Sequence, residues 1–221
     1  MPKIHLPLKS VIFDMDGVIT NTMPDHFKAW QSIFKEEGIH VSHYDVYSRE
    51  GQPGMDTVRE LFARNEKPFS IRSARNILSR KEDFFKKIVR IRFIPGIKGF
   101  LKRLSRENFR LGLVTGTSRH EVHRILPQEM FSLFEVIVTG SDVRNGKPHP
   151  EPYEQAMAKL QINPLETIVF ENAPFGIRSA KSAGLRCVAL ETSLPRKYLN
   201  EADYIFKSIS DACAKIHFEK E

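Results

Sequence analysis

Short apolar runs recur along this chain, and each ends abruptly in polar chemistry. They occupy residues 10–13 before Asp14, 111–114 before Thr115, 136–138 before Thr139, 167–170 before Glu171 and 186–190 before Glu191, with a shorter sixth at 204–206. Runs that stay apolar at successive positions suit strands buried on both faces, as in a parallel sheet covered by helices. Helical patterns stand between them over 97–106, 119–126, 152–160 and 175–183. This alternation predicts an α/β fold built on a doubly wound, Rossmann-like parallel sheet. Ligands in such sheets bind beyond the carboxyl ends of the strands, so Asp14, Thr115 and Glu171 are expected along one functional edge.

The stretch between the first two strands is far longer than a crossover requires. Residues 26–37 carry Phe27, Trp30, Ile33 and Phe34 on one side of a helix, and 57–65 and 70–92 continue the helical mode. Gly51-Gln52-Pro53-Gly54 interrupts them with a loop, and Ile94-Pro95-Gly96 marks the return to the sheet. The expected organisation is a core of residues 1–20 and 94–221 with an inserted α-helical cap over 21–93.

A chain of 221 residues that is 41% apolar can bury a core without stapling. Its two cysteines, Cys187 and Cys213, exclude a disulfide scaffold and read as reduced packing residues. No apolar run is long enough to span a membrane, and MPKIHLPLKS lacks the apolar stretch of a secretory signal. A cytoplasmic location without a membrane partner is therefore expected. The net charge of +7 gathers partly between Arg64 and Arg92. Ile71, Ile77, Leu78, Phe84, Phe85, Ile88 and Ile91 interleave there at helical spacing. That pattern favours a solvated helix face over a nucleic-acid surface, since no nucleic-acid motif accompanies it. No nucleic acid and no obligate protein partner are implied.

The chemistry gathers at the strand ends. In VIFDMDGVIT, Asp14 and Asp16 flank one residue directly after an apolar run. Such a pair can hold a hard divalent cation such as Mg²⁺, or divide the roles of nucleophile and general acid/base toward phosphorus. A capped turn would account for the same residues. Thr115-Gly116-Thr117-Ser118 offers hydroxyls and backbone N–H groups at a helix start, suited to an anion and also to capping. Lys147, framed by prolines in NGKPHP, is a cation able to steady phosphoryl oxygens. Glu171-Asn172 adds a carboxylate and an amide oxygen.

Asp14-x-Asp16, Thr115, Lys147 and Glu171-Asn172 occur in the order and approximate spacing of the haloacid dehalogenase superfamily, which the chain resembles from about Leu8 to Leu190. GKPHPEPY and ENAPFGIRSAKSAGL are similar to the helical-cap subfamily, which includes β-phosphoglucomutase and sugar-phosphate and phosphoglycolate phosphatases. FDMDGVITNTMPDHFKAW resembles the mutase branch, with Asp14, Asp16, Thr22, His26 and Trp30 at matching spacing. The resemblance implies that Asp14 attacks phosphorus to give an aspartyl-phosphate and that Asp16 acts as general acid and then base. Thr115, Gly116 and Thr117 would bind phosphoryl oxygens, and Lys147 would bridge phosphate and Asp14. It further implies Mg²⁺ on Asp14, the Asp16 main-chain oxygen and Glu171-Asn172. Asn172 departs from the acidic residue usual there; it keeps an oxygen ligand but loses a charge.

The substrate class implied is a small phosphorylated metabolite, read by His26 and by the cap loop through Arg49 and Gly51. Water attacking the aspartyl-phosphate would make a phosphatase, and a sugar hydroxyl a phosphomutase. The mutase pattern resembles Lys-Gly followed by Ser-Arg-Glu, whose basic residues hold a second phosphate. Here either alignment of Ser48-Arg49-Glu50-Gly51-Gln52-Pro53-Gly54 lacks one expected cation, so hydrolysis is favoured. A silent binding member of the superfamily is a third reading, opposed by intact Asp14, Asp16, Thr115 and Lys147.

Overall fold

The computed structural model describes residues 4–219; residues 1–3 and 220–221 of the expected core lie outside it. In chain order the elements are β1 (Ile4–Pro7), β2 (Ser10–Phe13), α1 (Met23–Glu36), α2 (His43–Tyr47), α3 (Gly54–Arg64), α4 (Ile71–Ile88), α5 (Ile97–Arg106) and β3 (Arg110–Val114). There follow α6 (Arg119–Ile125), α7 (Gln128–Phe131), β4 (Val136–Val138), α8 (Glu151–Leu160), β5 (Thr167–Glu171), α9 (Pro174–Ser182), β6 (Arg186–Leu190), β7 (Tyr204–Phe206), α10 (Ile209–Lys215) and β8 (Ile216–Glu219). Six strands form one sheet in the order β4-β3-β2-β5-β6-β7, with every neighbouring pair parallel. The winding reverses at β2, which lies between β3 and β5. The crevice at its carboxyl end is thus the switch point where such folds bind ligands.

Strand pleating sorts the core onto two faces. Val11, Phe13, Leu111, Leu113, Ile168 and Phe170 point toward Phe100, Leu104 and Ile209 of α5 and α10. Ile12, Val114, Val169 and Cys187 point the other way, into an apolar body continuous with Tyr153 of α8, Ile177 of α9 and the α1 side chains Phe27, Trp30 and Phe34. Phe13 stacks on Phe170 at 5.3 Å between ring centroids, and Phe100 meets both edge-on. These two stacked rings immediately precede Asp14 and Glu171, so core packing fixes the spacing of the two carboxylate-bearing tips. Replacing Phe13 by alanine would cost roughly 3–5 kcal/mol.

Helices α1–α4 fall between β2 and α5 in the chain. α1 begins three residues earlier than the periodicity predicts, with Pro24 in its first turn. The side chain of Thr22, its N-cap, is drawn to Asp16 instead of capping the helix. α4 ends at Ile88, short of the predicted 92, because Val89 turns extended. Asn21 and Ile94 then donate backbone hydrogen bonds to Arg92 and Ile19, tying the two connecting segments side by side. The small parallel pair β1–β8 and the short helices α2 and α7 stand outside the predicted set. Cys187 and Cys213 carry free thiols. Among the described residues no helix is long and apolar enough to cross a membrane.

Candidate active site

Asp14, at the end of β2, is 1% exposed, and Lys147, from the loop before α8, is equally buried. Lys147 Nζ donates to Asp14 Oδ1 at 2.6 Å and to Glu171 Oε1 at 2.7 Å, and also to the Val114 carbonyl at 3.2 Å. Tyr153 Oη donates to the same Glu171 oxygen at 2.7 Å, and the Asn172 N–H donates to Glu171 Oε2. Burial opposes the charge on Lys147, but the two carboxylates outweigh it and raise its pKa. Burial, with Glu171, Glu50 and Asp16 nearby, pushes Asp14 well above the usual carboxylate range despite Lys147.

Asp16 faces different partners. Its Oδ1 accepts from Thr20 at 3.2 Å and from Thr22, and its Oδ2 accepts from Thr117 at 2.9 Å. Burial alone would raise its pKa, but His26 and the Thr22 and Thr117 hydroxyls hold it at about 2. His26 Nε2 lies 3.7 Å from Asp16 Oδ1, its Nδ1 lies 3.3 Å from Lys81 Nζ, and its ring stacks on Phe85. Gly17 makes the turn possible: its φ is +97°, and a Cβ there would stand 2.1 Å from Asn172 Nδ2.

Two buried carboxylates, Asp14 and Glu171, hold one buried lysine, and a third, Asp16, is buried two residues from Asp14. Two buried oxygens, Asp14 Oδ2 and Asn172 Oδ1, have no hydrogen-bond partner. Excess negative charge beside orphaned hard oxygens fits a divalent cation. Among the described residues no three His, Cys, Asp or Glu side chains converge as a ligand cluster. A sparse protein donor set of this kind suits Mg²⁺, which keeps several of its waters.

Above this floor lies a cavity of about 390 Å³ between helices α1–α4 and the strand-end loops. His26, Arg49, Gly51, Thr115, Gly116, Thr117 and Lys147 line it, so candidates far apart in the chain meet at one place. Asp14, Asp16, Glu171 and Asn172 lie beneath, reached through the Lys147 and Thr117 contacts. The loop of residues 48–53 presses directly on Lys147: a Cβ at Gly51, whose φ is +79°, would stand 2.4 Å from Lys147 Cδ. Phe175 N–H donates to the Ser48 carbonyl at 3.2 Å, and the Arg49 guanidinium lies over the Phe175 ring.

Sequence reasoning assigned no role to Glu50, Lys81 or Tyr153. Lys81 corrects the reading of the basic stretch as wholly solvated: it lines the cavity against Trp30, Phe85 and His26. Its helical phase relative to Phe85 was the available signal, since i and i+4 share a face. Tyr153 stood inside GKPHPEPY, but only the fold brings its hydroxyl to Glu171.

A parallel sheet flanked by helices, with this cluster at its switch point, defines a haloacid dehalogenase-type α/β fold. The haloacid dehalogenase-like hydrolase family matches residues 11–190, and the chain belongs to it. It is 30% identical to the validoxylamine A 7′-phosphate phosphatase of Streptomyces hygroscopicus subsp. limoneus, over 92% of this chain and 95% of that protein. It is 28% identical to the β-phosphoglucomutase of Bacillus subtilis, over 96% and 95% of the two chains. Among solved structures, a putative β-phosphoglucomutase from Bacteroides vulgatus superposes with a TM-score of 0.84 at 32% identity, covering 94% of this chain and 86% of that one.

Proposed function

We propose that the protein hydrolyses the phosphate monoester of a small phosphorylated metabolite through an aspartyl-phosphate. The observation that carries this reading is the state of Asp14: Oδ1 is fixed by Lys147, while Oδ2 is buried and unpartnered. An oriented carboxylate with one free oxygen is what in-line attack requires. Asp14 attacks phosphorus, the ester P–O bond breaks, and the departing oxygen takes a proton from Asp16. Water then attacks the aspartyl-phosphate and gives its proton to Asp16, so that inorganic phosphate leaves and both carboxyl groups return to their starting forms. Three hydroxyl donors favour ionised Asp16, the form needed in the second step. An incoming phosphate dianion would raise its proton affinity for the first.

Lys147 holds the nucleophile and offers positive charge to the transferring oxygens, while Glu171 and Tyr153 keep the lysine in place. Asp14 and Asn172, with the Asp16 main-chain oxygen, would hold Mg²⁺, and Glu171 adds charge beside it. When bound, the ion would relieve repulsion between the carboxylate and the phosphate. The helices of 21–93 act as a cap over the core of 1–20 and 94–221, excluding solvent around the bound metabolite.

The phosphatase relative supports hydrolysis, and the β-phosphoglucomutase relative supports phosphomutase action as a second reading. The charge around the cavity favours hydrolysis. Arg119, beside the phosphate-site loop, is bound to Asp142 at 2.7 and 2.8 Å, and Arg49 is bound to Glu60 at 3.0 Å. Neither is free to grip a second phosphate. The test is phosphate release from para-nitrophenyl phosphate in Mg²⁺, alongside conversion of β-glucose 1-phosphate to glucose 6-phosphate. Isomer formation without phosphate would establish the mutase, and no turnover of either would remove both readings.

A further inference from the structure

Glu50 is a residue of the cavity wall whose chemistry the reaction above leaves unused. It lines the space together with His26, Lys81 and Lys147 and is only partly exposed. Among the described residues nothing donates a hydrogen bond to its carboxylate. The next residue, Gly51, lies against Lys147 and Gly116, so the backbone that carries Glu50 is seated on the phosphate-site loops. Burial pushes its pKa up, aided by Asp16 and opposed by His26, Lys81 and Lys147. It thus lies within electrostatic reach of Asp16 and Lys147.

The remaining charges around the cavity are balanced. Beyond Lys147 the lining cations are Arg49, Lys81 and Arg144, and the carboxylates are Glu50, Glu82 and Glu121. Arg49 is committed to Glu60 and to the Asp45 carbonyl, and Lys81 Nζ is placed against His26. Trp30, Leu78, Phe85 and Val143 supply apolar wall. A space with an apolar side, an acceptor-only carboxylate and no spare cluster of cations suits an uncharged, hydroxylated leaving group. It does not suit a second dianion, since like charges brought together in a desolvated site are costly.

We propose that Glu50 is a specificity-determining residue that accepts hydrogen bonds from hydroxyls of the leaving group and rejects substrates bearing a second phosphate. The inference rests on the phosphatase reading and narrows its substrate class to polyhydroxylated monophosphates.

The test uses the intact protein with Mg²⁺ and four probes: para-nitrophenyl phosphate, glucose 6-phosphate, ribose 5-phosphate and glucose 1,6-bisphosphate. Phosphate release from para-nitrophenyl phosphate by the wild type tests the phosphatase reading separately. The inference predicts that the better sugar monophosphate exceeds the bisphosphate in kcat/KM by at least about 10-fold. It predicts that Glu50→Gln narrows that ratio by about 10-fold and Glu50→Lys by more. It also predicts that Glu50→Ala lowers kcat/KM for the sugar monophosphate about 10-fold more than for the nitrophenyl ester, which offers no hydroxyl to read. Thermal melts identify any variant that is unfolded, and the folded substitutions decide. Turnover of the nitrophenyl ester without turnover of either sugar monophosphate would overturn the inference while leaving the phosphatase reading standing. Ratios unmoved by the folded Glu50 variants would do the same. No turnover of any probe by the wild type would overturn both.

Discussion

Lys147 Nζ and Asp14 Oδ1 meet at 2.6 Å inside the protein, each residue only 1% exposed. The contact joins the loop before α8 to the end of β2, 133 positions apart in the chain. It holds one Asp14 oxygen and leaves the other unpartnered.

Lys147→Ala should therefore damage fold and chemistry together. Removing one partner of a buried ion pair strands the other charges, at a cost of about 3–5 kcal/mol. Here two carboxylates, Asp14 and Glu171, would be stranded. Chemical denaturation should show a loss of that size, and phosphate release should fall to background. A variant as stable as the wild type would show that the pair contributes little to folding.

Asn172 offers an orphaned Oδ1 on one side and donates through Nδ2 to Ser193 at 2.7 Å on the other. Asn172→Asp should lower the Mg²⁺ concentration giving half-maximal activity, because a second carboxylate then faces the cation. Asn172→Ala should raise it. Mg²⁺ titrations read both, with the Mg²⁺-dependent rise in melting temperature as a readout independent of turnover. Unchanged Mg²⁺ dependence in both variants would remove Asn172 from the ligand set.

Gly51→Ala places a side chain where φ is +79° and Lys147 Cδ would stand 2.4 Å away. The left-handed conformation alone costs roughly 1–2 kcal/mol, and the contact adds to it. The loop of residues 48–53 should lift from Lys147, raising KM and lowering kcat, with only a modest fall in melting temperature. Wild-type kinetics in this variant would mean that the loop's seat on Lys147 is dispensable.

Asp142, paired with Arg119, makes folding stability depend on pH. Burial would raise its pKa, but Arg119 and Thr139 hold it at about 2, below the ordinary 3.8. Its stabilisation is thus complete above about pH 4 and is lost as pH falls toward 2. With Arg119 47% exposed, solvent screening limits the effect to about 1 kcal/mol or less. Asp142→Asn should lower stability near neutral pH by that amount, and the gap to wild type should close below pH 3 in denaturant titrations.

Much of this was legible in the sequence for a physical reason. Strand 186–190 is buried beyond its first residue, and the edge strands 136–138 and 204–206 are half-buried with a buried last residue, so their apolar runs coincide with the observed elements. Asp14, Thr115 and Glu171 follow such runs directly, which places them on one edge. The pair β1–β8 was not legible, because four-residue strands joined only to each other need no long apolar signature. Helix α2 is held by the Ser42–Asp45 capping box over five residues, too few for periodicity to register. Lys81 and Glu50 escaped because their importance lies in facing a cavity between separate parts of the chain.

Whether Asp14 carries the phosphoryl group is read by rapid acid quenching of the wild-type enzyme during turnover of ³²P-labelled substrate in Mg²⁺, followed by peptide mapping. An aspartyl-phosphate at Asp14 requires hydroxylamine-labile label on the peptide containing Asp14 during turnover, and none with a folded Asp14→Asn variant that has lost phosphate release. Label on another residue, or a folded Asp14→Asn enzyme that still releases phosphate at more than a few per cent of the wild-type rate, would contradict it.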